Sequence, residues 1–286
     1  MDSWYFYSIF ATICFGIASA VHKIPAARGQ NFFVASVWSV VVPFVLSLIF
    51  FWKSIFHASG ALLLISAGWA LFFSISRYLY FEIFRHADLN FVTPFTATIQ
   101  LILTTIVGLL FFQDKISFHQ GIGIVLAIAI TLAFIKKKAG FSYSPLVARF
   151  ILVVTVSSIA YKIFQKMGST GYDLGAFIIY QFAFASLFLI LLFIIAHRNE
   201  VGLWRGHLSG SGAKVGVFMG IMSFTGGYAY NYALSVGPFS LVNGINSLYI
   251  LVTIALGYFL YKEELTLKKI LLILLAIVAI ILIRLD

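Results

Sequence analysis

Long apolar runs separated by short polar punctuation make up almost the whole chain. Each run comes near the roughly 20 residues that an α-helix needs to cross a bilayer. The punctuation predicts ten spans, at residues 4–22, 31–52, 60–84, 88–112, 118–135, 146–166, 173–196, 212–235, 239–261 and 267–284. Nothing of soluble-domain size remains between them, so any function has to sit inside the bundle.

The punctuation also repeats. At a constant offset of 149 residues, Tyr78–Ile135 overlies Gly227–Arg284 without a gap. QDKIS (Gln113 to Ser117) then falls on KEELT (Lys262 to Thr266), Thr104 on Thr253 and Gly108 on Gly257. Upstream, at a slightly different offset, Phe15–Lys23 falls on Ser158–Lys166, so Lys23 meets Lys166 and five spans answer five.

A repeat with an odd number of spans places its second copy upside down. The expected fold is therefore an all-α polytopic membrane protein of ten transmembrane helices in two inverted five-helix repeats. Residues 1–138 form the first repeat, 139–145 a Gly/Ser/Pro-containing linker, and 146–286 the second repeat. Two inverted halves can exchange conformations, which is the geometry of alternating access.

Composition agrees with this pattern. Hydrophobic residues make up 62% and charged residues 10%, with a mean hydropathy of +1.05. Too little polar surface exists to cover a soluble core. The charge of +10 would suggest nucleic acid in a soluble protein, but here most Lys and Arg fall in short loops, where anionic headgroups account for them. No nucleic-acid partner is expected. The single cysteine, Cys14, lies within an apolar run and excludes a disulfide framework or a CxxC site. The first run lacks a signal-peptide cleavage pattern and is read as a retained span.

The half-repeat has an aromatic-Gly followed by Lys near the end of the first span, and an acidic-basic-aliphatic-hydroxyl turn before the last. These residues are Phe15, Gly16 and Lys23, then Asp114, Lys115, Ile116 and Ser117, and in the second copy Glu263, Glu264, Leu265 and Thr266. Tyr230–Leu234 (YNYAL) resembles the aromatic-AL end of a third span. Together they resemble the EamA-type members of the drug/metabolite transporter superfamily. Four positions depart from that pattern: Phe15 stands for a usual Trp, Glu264 for a usual basic residue, and Glu82 and Phe84 interrupt the first AL segment.

The orientation signals conflict. Thirteen loop Lys and Arg lie on the side away from the termini and four (Lys53, Lys115, Lys166, Arg284) on the terminal side. The positive-inside rule then places the termini outside, whereas the resemblance implies cytoplasmic termini.

Enzyme constellations are absent from the sequence: no HExxH, GxSxG, P-loop or paired His/Cys spacing occurs, and the six histidines are scattered at span ends and loops. The protein is expected not to be an enzyme and to use no cofactor or metal. Intramembrane charge is costly and marks candidate sites. Arg77, about 12 Å deep at 1.5 Å per residue, would attract an anionic group. Lys162 lies nearer its helix end, where its stem can snorkel. Glu82 is the best carboxylate available to proton-coupled cation transport.

Tyr78, Tyr228 and Tyr249 could offer ring faces to aromatic or quaternary ammonium groups, or be interfacial belt residues. Thr96 and Gln100 in the fourth span, Asn231 in the eighth, Asn243 and Asn246 in the ninth, and Gln181 in the seventh would fix orientation by hydrogen bonds, or serve as interhelical packing contacts. Pro94 aligns with Asn243 and would bend its helix. The GxxxG of Gly216 and Gly220 suits close helix packing or a hinge.

The function expected is secondary-active transport of a small organic metabolite, an amino acid or related compound. Alternatives are transport of organic or quaternary ammonium cations, a lipid-linked substrate, or a non-transporting receptor on the same fold. The protein would be a multi-pass protein of the inner or plasma membrane. It would be a monomer or weak dimer in the lipid bilayer, with proton or counter-substrate coupling left open.

Overall fold

A computed structural model describes residues 3–21, 32–86, 89–133, 145–196, 211–261 and 266–285. Among these residues every regular element is helical. In chain order they are α1 (Ser3–Val21), α2 (Phe32–Phe51), a 3-10 turn (Trp52–His57), α3 (Gly60–His86), α4 (Leu89–Leu110), α5 (Phe118–Ala133) and α6 (Pro145–Gly171). There follow α7 (Leu174–Ala196), α8 (Ser211–Val236), α9 (Phe239–Ser247), α10 (Tyr249–Tyr261) and α11 (Leu267–Arg284). Six stretches are by themselves long and apolar enough to cross a membrane, and Pro94–Leu110 and Phe118–Ala133 are shorter apolar helices. The basic positions Lys23, Arg28, Lys136–Lys138, Arg198, Arg205 and Lys262, the acidic Glu263 and Glu264, and residues 139–144 of the expected linker lie outside the described residues.

The predicted ninth span, 239–261, is matched by a stretch, Phe239–Phe259, long and apolar enough to cross a membrane, but its helix is broken within it. α9 ends at Ser247, Leu248 adopts φ −80 and ψ 2, and α10 begins at Tyr249. Asn243, Gly244, Asn246 and Ser247 are weak helix formers, and Ser247 Oγ turns back to donate to the Gly244 carbonyl at 2.7 Å. The predicted sixth span, 146–166, runs on to Gly171 in α6.

Helix directions follow from contacts between named residues. On α3 and α6, Ser76 meets Ser158 at 2.9 Å, Phe73 meets Tyr161, and Phe72 meets Phe164, so the two helices run antiparallel. The pair α8 and α1 repeats this arrangement, with Thr225 against Cys14, Tyr232 against Tyr7 and Gly237 against Trp4. Helix α2 runs parallel to α8, where a Cβ on Gly216 or Gly220 would come within 2.7 Å of Trp38 or 2.6 Å of Val42. In the same way α7 runs parallel to α3, with Phe182 on Trp69 and Phe193 on Tyr78. Helices α5 and α11 pack antiparallel: Ser117 Oγ donates to the Leu285 carbonyl at 3.1 Å, and Gly123 faces Ala279 and Ile283.

Six apolar clusters form among the described residues, two of them larger than the rest. One joins α3, α7 and α8 through Trp69, Phe177, Phe182 and Phe224. The other joins α4, α5, α10 and α11 through Leu101, Ala127, Ile130, Leu251, Leu272 and Ala276. Outward faces carry exposed Phe50, Leu64, Phe111, Ile195 and Leu274, as lipid contact requires.

Candidate functional site

Arg77 sits nine residues before the end of α3 and is half-buried, with its Nε buried. Its guanidinium lies 5.8 Å from the Phe73 ring centroid. Three tyrosine hydroxyls are within electrostatic reach: Tyr161 from α6, Tyr249 from α10 and Tyr80 from α3 itself. Among the described residues no hydrogen bond reaches the guanidinium and no carboxylate is near enough to interact with it.

The ring around Arg77 is built by helix spacing. Tyr80 follows Arg77 by three residues and so shares its face. Tyr80 Oη lies 2.8 Å from Thr96 Oγ1 and accepts from Gln100 Nε2 at 3.4 Å, which brings α4 to the cluster. Tyr161 is held edge-on to both Trp69 and Phe73. Tyr249 stands at the first position after the α9/α10 break. Arg77, Tyr80, Gln100, Tyr161 and Tyr249 all remain half-buried, although they come from four helices and converge. Each of them therefore keeps some accessible surface within a polar, aromatic cluster.

The remaining candidates divide. Thr96 is fully buried and positions Tyr80. Asn243 is buried, accepts from Tyr230 Oη at 2.8 Å and donates to the Phe239 carbonyl at 2.8 Å, so it anchors Tyr230. Asn246 is half-buried, and its Oδ1 has no partner. Lys162, the residue after Tyr161, is half-buried and has no hydrogen bond or ion pair among the described residues.

Several candidates lie apart from Arg77. Asn231 is fully buried between α6 and α8, where its Oδ1 accepts from Gln165 Nε2 at 2.8 Å and Ser169 Oγ at 3.2 Å. This is interhelical packing. Gln181 is fully buried in α7 with neither amide atom bonded. Tyr78, one position from Arg77 and so about 100° around the helix, packs edge-on against Phe193 of α7. Tyr228 belongs to an aromatic group with Phe51 and Tyr232, which in turn stacks near Tyr7. Glu82 is half-buried and engaged in an interaction of its own.

Two motif residues, Asp114 and Lys166, sit at the end where the chain starts, and Gly16 lies further along α1. Asp114 Oδ2 accepts from the Ser240 amide at 2.6 Å, at the start of α9. Lys166 Nζ donates to the Leu234 carbonyl at 2.6 Å and the Gly237 carbonyl at 3.0 Å, at the end of α8. Gly16 allows α1 to touch α10, where an added Cβ would meet Val252 and the Tyr249 carbonyl, and where Thr253 Oγ1 donates to the Gly16 carbonyl at 3.1 Å. An open cleft of about 400 Å³ at this end is bordered by Trp4, Lys115, Gln120 and Pro238, and no residue of the Arg77 cluster borders it.

Tyr80 and Tyr161, not Tyr78, are the electrostatic neighbours of Arg77. The signal that separates them is the helical spacing from Arg77.

Residues 146–285 match the EamA-like transporter family. No curated protein matches the chain. Among solved structures, one described only as the crystal structure of a protein is 14% identical and has a TM-score of 0.77. The match covers 99% of this chain and 96% of that one, and it speaks for the fold.

Proposed function

We propose, from the match of residues 146–285 to the EamA-like transporter family, that the chain is a secondary-active transporter of a small organic metabolite. It would be an amino-acid-sized compound, carried by alternating access. The observation that carries this reading is the polar, aromatic cluster around Arg77. Its residues come from α3 and α4 of the first half and from α6 and α10 of the second. Polar residues at the seam between two halves are what a rocking mechanism needs, because movement of one half against the other opens such a seam to either side.

The same reading takes the chain as ten spans, with α9 and α10 sharing the ninth, in two inverted repeats. Antiparallel packing of α5 on α11 supports it, because the sequence repeat makes these two helices equivalents. Equivalent helices packed antiparallel require a symmetry axis across the helices, in the membrane plane. The matched pairs α3–α6 and α8–α1 support the same axis. At the terminal end Asp114 and Lys166 bond the start of α9 and the end of α8, respectively.

The aromatic ring alone would suit an organic cation. A guanidinium at its centre opposes that reading. The direct test is counterflow into proteoliposomes containing the purified protein, with a panel of labelled metabolites sorted by charge. Saturable exchange of at least one small metabolite supports transport; none across the panel refutes it.

A further inference from the structure

The unpaired guanidinium narrows the substrate class. Arg77 presents five N–H donors in a planar fork, and among the described residues none of them is used. A charged group held deep in a bundle without a partner is costly. A carboxylate is the group whose geometry matches the fork, through two parallel charge-assisted bonds. The hydroxyl of Tyr249 also has no hydrogen-bond partner among the described residues and lies within reach of Arg77. It can add a third donor to the same anion.

The cluster contains nothing to balance a positive group on the ligand. The electrostatic neighbours of Arg77, Tyr80 and Tyr249 are one another and Tyr161, with no carboxylate among them. Glu82, five residues beyond Arg77, leaves α3 about 140° around the helix. The other deep charge nearby in sequence, Lys162, is also a cation. An ammonium group bound beside the carboxylate would lie near a guanidinium and find only neutral oxygens and ring faces.

Resting on the transport reading above, we propose that the substrate is an organic anion. It would be a carboxylate on a small apolar or aromatic body without an ammonium group, held by Arg77 and Tyr249 with its body against Tyr80 and Tyr161.

The test uses two ligand trios that share a carbon skeleton: 3-phenylpropionate, phenylalanine and phenethylamine, then hexanoate, norleucine and pentylamine. Thermal stabilisation of the purified protein and counterflow in proteoliposomes are read for each. The expected result is that one of the two carboxylates acts at a concentration roughly ten-fold lower than its amino acid, with the amines inert. Arg77→Gln should abolish that response, Arg77→Lys should keep part of it, and Tyr249→Phe should weaken it.

Equal or better action by a zwitterion or amine overturns the anion assignment, as does a carboxylate response that Arg77→Gln leaves intact, or silence from all six compounds. In each case transport of any other metabolite leaves the transport reading standing. Absence of all transport overturns that reading itself.

Discussion

Asp114 and Ser240, 126 residues apart in the chain, are joined by a 2.6 Å hydrogen bond from the Ser240 amide to the Asp114 carboxylate. The bond places an acidic residue on a backbone N–H in the first turn of α9. It thereby ties the turn before α5 to the broken ninth span. Gly108 makes the approach possible, since a Cβ there would collide with Ser240 Oγ and approach Asp114 Oδ2 to 2.6 Å.

Asp114→Asn is therefore expected to lower stability by about 1 kcal/mol, the usual worth of a helix cap and a charge-assisted bond. Thermal unfolding in detergent should show a lower midpoint for Asp114→Asn and a larger drop for Gly108→Leu. An unchanged midpoint in both would remove this contact from the account.

Close packing of α2 on α8 gives a second prediction. Gly216→Leu and Gly220→Leu push side chains into Trp38, Ala35 and Val42, and overpacking of this kind costs about 1–3 kcal/mol. Both variants should yield less folded protein by size-exclusion chromatography. Gly121→Ala, where an added Cβ meets nothing within 4 Å, should behave as the unsubstituted protein.

Tyr80 and Thr96 form the third test. A double-mutant cycle with Tyr80→Phe and Thr96→Val isolates their 2.8 Å bond, with an expected coupling of roughly 0.6 kcal/mol, as is typical between membrane helices. A cycle that closes to zero would mean that Thr96 does not position Tyr80.

Much of the scaffold was legible in the sequence because repeats and punctuation are one-dimensional signals. The offset that pairs QDKIS with KEELT marks α5 and α11 as equivalents, and the GxxxG of Gly216 and Gly220 marks a real contact. The site was less legible. Arg77 stands out as a costly charge in an apolar run, but its neighbours depend on which way each helix turns. Tyr78 and Tyr80 look alike in the sequence, yet only Tyr80 shares the face of Arg77. Asn231 has the composition of a binding residue and instead ties α6 to α8, because its partners Gln165 and Ser169 come from a helix 62 or more residues away. The break at Leu248 was hidden by an unbroken run of apolar residues after it.

The central proposal is that the cluster around Arg77 opens alternately to the two sides of the membrane. Asn246, half-buried with an unpaired Oδ1 close in sequence to Tyr249, is the place to test it. In a Cys14→Ser background, Asn246→Cys in proteoliposomes is treated with a membrane-impermeant thiol reagent from the outside or from the lumen. Labelling from both sides, suppressed from each by a transported ligand, is the result expected. Labelling from one side only, under every ligand condition, would contradict alternating access.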